Sequence, residues 1–107
     1  MNSTELRNFI ERQKPNEDGI ISISQDIVFQ ENLIINYTNI PVEFTGKTVF
    51  NAIVTFDGRV NFTFKNCEFK KIISSQYAKI NLLKCKINEI YHKADSNTYD
   101  SSINYGK

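Results

Sequence analysis

The stretch VNFTFKNCEFKKIISSQYAKINLLKCKINEI, from Val60 to Ile90, decides the fold because half of it repeats the other half. Phe64, Cys67, Phe69 and Ile72 reappear eighteen residues later as Leu82, Cys85, Ile87 and Ile90. Upstream, Ile40, Val42 and Phe44 of IPVEF match Val60, Phe62 and Phe64 at a spacing of twenty. Self-similarity near twenty residues marks stacked units, each too small to bury its own apolar face. Within a unit the alternation has period two. Val60, Phe62 and Phe64 face one way, and Asn61 and Thr63 the other, as in a half-buried strand. Turn residues interrupt the runs at Thr45-Gly46, Asp57-Gly58 and Lys65-Asn66.

Short strands, sharp corners and a steady period predict a small right-handed parallel β-helix, a β-solenoid of about four coils. Its matched Ile, Phe, Val and Leu columns would stack about 4.8 Å apart. The alternative is a small antiparallel β-sandwich, which also suits short strands with frequent turns. IISIS points Ile21 and Ile23 inward but out of phase with Ile40, which requires an insertion in the first coil. The coils are expected over residues 19–91 of one 107-residue domain.

At the N-terminus, NSTELRNFIERQKP places Leu6, Phe9 and Ile10 on one helical face, and Asn2 with Glu5 has capping-box spacing. Pro15 and the turn at Asn16–Gly19 end that helix, expected over residues 3–14. A coil stack leaves edges and apolar side chains open at its end, so this helix is read as the cap. Residues 92–107 are rich in Ser, Asn and Asp and are read as a flexible tail, or as a strand ordered by a partner.

The chain contains no apolar run of about 18 residues and no basic start followed by an apolar segment, which excludes membrane and secretory readings. The expected location is the cytoplasm. The triplets at Asn2, Asn36 and Asn61 then carry no glycan, and Cys67 and Cys85 are reduced apolar fillers. Neither a cofactor nor a metal is expected. The GKT at Gly46–Thr48 lacks the first glycine of a P-loop, since Pro41 stands there, and β-type residues follow it. His92 is the single histidine, too few for a zinc site with two inward cysteines. Asp26, Glu43, Glu68 and Glu89 fall on different columns, so no acid/base pair forms. The chain reads as a non-enzyme with no small-molecule substrate.

Net charge is +1, unevenly spread. Residues 1–53 carry four basic and seven acidic side chains, whereas residues 54–107 carry nine and five. The basic window runs through Arg59, Lys65, Lys70, Lys71, Lys79, Lys84, Lys86 and Lys93, with Tyr77 and Tyr91 nearby. Lys84 and Lys86 flank Cys85 and are expected on the side opposite it, so the window predicts one basic face. Such a face suits a phosphate backbone or an acidic protein, and it also keeps a β protein soluble.

In size, missing chemistry, Asn/Ile/Lys bias (38 of 107 residues) and charge clustering, the chain resembles small phage-encoded anti-CRISPR inhibitors. The resemblance implies a protein that docks on a bacterial defence complex, a CRISPR effector of the RNA-cutting type VI or its guide RNA, and blocks it. The partner expected is therefore a large protein or ribonucleoprotein complex, with the eight basic residues of the window and its two tyrosines as contacts. Two alternatives remain beside it: an RNA-binding module using residues 59–93, and a structural solenoid segment of an oligomeric fibre.

Overall fold

A computed structural model describes residues 1–36, 40–75, 77–92 and 98–105. Helix α1 (Ser3–Glu11) precedes three strands of three residues each: β1 (Ile21–Ile23), β2 (Ile27–Phe29) and β3 (Leu33–Ile35). There follow β4 (Val42–Phe44), β5 (Thr48–Phe56), β6 (Asn61–Lys65), β7 (Glu68–Ser74), β8 (Lys79–His92) and β9 (Thr98–Tyr105). Every pairing between them is parallel. The sandwich is thereby excluded, and the chain is a β-solenoid of about four turns.

Each turn has three faces. The first stacks β1, β4, β6 and the start of β8. The second stacks β2, the start of β5, the start of β7 and the middle of β8, and the third stacks β3 with the ends of the same three strands. TVFNAIVTF is one continuous strand whose register shifts between Phe50 and Ile53, where it turns from the second face to the third. The coils shorten downward. Ile21 stands over Val42, Val42 over Phe62 and Phe62 over Ile80, which are steps of 21, 20 and 18 residues.

The interior follows the expected columns. Ile23, Phe44, Phe64 and Leu82 form one, and Phe29, Phe50, Phe69 and Ile87 another. Phe29, Phe50 and Phe69 stack nearly parallel, with centroids 4.9 and 4.5 Å apart. Phe64 meets Phe50 and Phe69 edge-on at 5.6 and 5.0 Å. Ring faces therefore bond along the axis and ring edges bond across it, both favourable quadrupole arrangements. Ile40 departs from the expectation. It is exposed outside the column that Val60 belongs to, and Ile21 takes Val42 as its neighbour, so the inserted residue lies in the first coil.

The helix caps the stack as expected, with a shorter span. The Asn2 side chain accepts from the Glu5 amide at 2.8 Å and the Glu5 carboxylate from the Asn2 amide at 3.0 Å, closing the capping box. Leu6 and Ile10 are fully buried over the first coil, and the Ile34 amide of β3 donates to Ser3 Oγ at 2.9 Å. The last turn over residues 12–14 is absent because the chain tightens at Gln13, whose amide donates to the Ile10 carbonyl. In the segment read as a tail, β9 adds a further parallel strand on β8, with Tyr99 in register with Leu82 and Ile103 with Ile87. The polar composition of this segment gave no sign of a strand formed without a partner.

Corners need special backbone. Asn66 and Lys84, eighteen residues apart, both turn the first corner in the left-handed region, with φ of 59° and 54°. Two coils above Lys84, at Gly46, a β-carbon would lie 2.4 Å from the carbonyl oxygens of Ser24 and Gln25. Only glycine lets the coils approach that closely.

Candidate functional site

With the interior filled alike on all sides, what the outward columns carry distinguishes the faces. On the first face they are polar: Ser22, Glu43, Thr63 and Asn81 stand in register. Asn81 Nδ2 donates to Thr63 Oγ1 at 3.2 Å, and Lys65 Nζ pairs with Glu43 at 3.2 Å. On the second face Val28, Val49, Glu68 and Lys86 follow one another. On the third the column is Ile34, Thr55, Ile73 and Tyr91, with Ile53 over Lys71 beside it. Ile34 is 56% exposed and Ile73 36%, so this face offers apolar surface to solvent. A flat, rigid sheet face with exposed branched and aromatic side chains is suited to contact with another macromolecule.

The basic window does not form one face. Lys65 ends the first face and Lys84 occupies the first corner. Lys86 lies on the second face next to Glu68 in the register, and Lys70 follows Phe69 at the second corner. Both line a groove of about 310 Å³ that Asn51, Glu68 and Asn88 also border. Lys71 is on the third face, its ammonium 4.8 Å from the centre of the Tyr91 ring. Arg59 and Lys79 sit around the third corner, and the Arg59 guanidinium lies 5.0 Å over the Tyr77 ring. Lys93 lies outside the described residues. The expectation that Lys84 and Lys86 share a side fails, because the left-handed turn at Lys84 rotates the strand around the corner between them.

Of the ten candidates, the fold places five, Arg59, Lys71, Tyr77, Lys79 and Tyr91, on the third face and its corner. It separates Lys65, Lys70, Lys84 and Lys86 from them. What sequence reading missed is the apolar outer column. Leu33-Ile34-Ile35 and Ile72-Ile73 are unbroken apolar runs, in which inward and outward residues look alike. Once the coil register is applied, Ile34 and Ile73 fall two coils apart at the same outward position, and that coincidence is the signal.

Charge is instead graded along the axis, because in a solenoid order along the chain becomes height. Residues 1–36, the helix and first coil, carry six acidic and three basic side chains. Residues 57–92, the third and fourth coils, carry three acidic and seven basic ones.

The thiols are interior. Cys67 and Cys85 occupy one inward corner column below Thr48, one residue ahead of the register pairs Val49–Glu68 and Glu68–Lys86. Cys85 Sγ donates to the Phe64 carbonyl at 3.2 Å and Cys67 Sγ to the Lys65 carbonyl at 3.4 Å. A hydrogen bond with the Cys85 sulfur, reinforced by burial, pushes the Cys67 thiol far above its ordinary range. Such a thiol is a poor nucleophile and a poor metal ligand. Among the described residues, no group of three or more His, Cys, Asp or Glu side chains is placed to hold a metal, and no helix is long and apolar enough to cross a membrane. Comparison with family models, with curated proteins and with solved structures finds no match to this chain.

Proposed function

We propose that the chain is a non-catalytic binding protein that docks through its third face on a large protein or ribonucleoprotein complex. The observation that carries this reading is the outward column of Ile34, Thr55, Ile73 and Tyr91. It is held on a stack of parallel coils with one continuous buried apolar core. A surface that needs no ordering on contact loses less entropy on binding than a flexible one. The profile resemblance to anti-CRISPR inhibitors supplies the class of partner, an RNA-guided, RNA-cutting effector in a bacterial host, and the outcome of docking, blocked cleavage.

The test is a cleavage assay with purified type VI effector, guide RNA and target, with and without this protein, and size-exclusion chromatography of the mixture. Inhibition and co-elution are expected for the native chain. Ile34→Glu combined with Ile53→Glu places two carboxylates on the apolar face and should abolish both, at unchanged melting temperature. Self-association of the native chain without effector binding would instead favour the fibre segment.

A further inference from the structure

The third corner carries a groove of about 400 Å³ bordered by Thr55, Asp57, Ile73, Ser74, Ser75 and Tyr77. The Tyr77 ring forms one wall and is 55% exposed, although a tyrosine in an idle turn gains by covering its apolar body. The Arg59 guanidinium stacks on that ring and so holds a cation at the rim. The opposite wall is fixed by backbone. The Asp57 amide donates to the Ile35 carbonyl at 2.9 Å and the Ser75 amide to the Phe56 carbonyl at 3.0 Å, while Gly58 turns the chain at φ 78°. Ser75 Oγ donates to the Gly58 carbonyl, which ties the two sides of the turn together. The groove thus combines an exposed aromatic plane, a cation at its edge, hydroxyl oxygens and the exposed Asp57 on a rigid frame.

We infer that this groove holds one unpaired nucleotide of a single-stranded RNA. The base stacks on Tyr77, and the phosphate beside it meets Arg59, with Lys79 at the start of the next strand adding positive charge. Stacking on an aromatic plane with an arginine alongside is how proteins take splayed-out bases of single strands. The Asp57 carboxylate, a hydrogen-bond acceptor, favours bases that present an exocyclic amine, adenine, cytosine or guanine, over uracil. The surrounding coils support the phosphate side, since residues 57–92 carry seven basic and three acidic groups. The inference goes beyond the docking face: an RNA strand held here would belong to the same ribonucleoprotein, yet the site is testable without it.

The experiment is fluorescence anisotropy of labelled oligo(A), oligo(C) and oligo(U) RNA with the full chain at two salt concentrations. Oligo(A) and oligo(C) are expected to bind more tightly than oligo(U). Tyr77→Ala should weaken binding roughly tenfold, whereas Tyr77→Phe retains it. Arg59→Gln should flatten the slope of log affinity against log salt by about one. Asp57→Asn should erase the preference over oligo(U). These side chains are exposed, and unchanged melting temperatures confirm that the variants fold. Adenosine monophosphate that displaces the RNA at equal affinity would identify a free nucleotide as the source of the same chemistry. Absence of binding at about 100 µM protein, the weak end of non-specific association, overturns the inference. So does binding indifferent to Tyr77→Ala, or displacement of RNA by poly-glutamate as effective as by oligo(A), which would indicate an acidic protein partner. Loss of effector docking in the Ile34 and Ile53 variant leaves these RNA measurements untouched, so the two readings fail separately.

Discussion

The first and third faces share one interior and differ outside. Inside, Phe64 of the first and Phe56 of the third are both fully buried and touch each other's neighbours, Phe62 among them. Outside, the first presents Ser22, Glu43, Thr63 and Asn81, of which Asn81 donates to Thr63 one coil above, and the third presents Ile34, Thr55, Ile73 and Tyr91. The contrast teaches that a coil's stability and its recognition chemistry are set by alternate residues of the same strand. The polar outer column links coils at Asn81 and Thr63, whereas the apolar outer column is the face proposed above for docking.

The strongest way to break this comparison is to show that the insides are unequal. Phe64→Ala and Phe56→Ala should each cost about 3–5 kcal/mol, measured by urea unfolding, since each empties a ring-sized space in a shared core. A loss at one face only would mean that the faces fold independently. Next in size is the corner between the first and second faces. Gly46→Ala drives a methyl into two backbone carbonyls and should cost about 1–3 kcal/mol, because backbone cannot step aside as a side chain can.

The same corner gives a pH dependence. Cys67 holds its proton more tightly in the folded chain than at the ordinary thiol value of 9.0. Below that value the thiol is neutral in both states and its contribution is constant. Above it the unfolded chain binds fewer protons than the folded one, so stability falls as pH rises. The urea midpoint should drop between about pH 8 and pH 10 by more in the native chain than in Cys67→Ala. An equal drop in both removes Cys67 as the cause.

The outer columns separate at a finer scale. Asn81→Ala breaks a bond between coils and should cost about 0.5–1.5 kcal/mol. Ile73→Thr, on the third face, should stay within about 0.5 kcal/mol of the native chain. Reversed magnitudes would mean that the apolar column serves the fold and not a partner. The smallest effect concerns the first corner. Lys84→Asn puts a residue that tolerates the left-handed region where Asn66 already stands one coil above, and should raise stability by about 0.5 kcal/mol.

Much of the fold was legible because the interior imposes a rule on every coil. Phe64, Cys67, Phe69 and Ile72 could be matched to Leu82, Cys85, Ile87 and Ile90 before any strand was placed, and the register confirms the match at Phe64–Leu82, Phe69–Ile87 and Ile72–Ile90. The capping helix was legible through Asn2, Glu5, Leu6 and Ile10. Less of the candidate site could be read. Arg59 and Tyr77 are eighteen residues apart, and nothing local says that one coil brings a guanidinium over a ring. Lys84 and Lys86, two residues apart, looked like neighbours on one side until a positive φ separated them.

The sequence by itself determined that the chain coils, how long each turn is and which side chains fill it, because burial acts on every turn at the same offset. Only the tertiary structure decided which exposed residues meet. That outcome depends on where the backbone turns its corners and on how many residues each corner takes. The sequence marked turns at Thr45-Gly46 and Lys65-Asn66, but nothing local announced the angle each corner takes or the corner at Lys84. The charges followed the same division: their order along the chain fixed a gradient from acidic top to basic base, while the corners scattered the lysines around the axis.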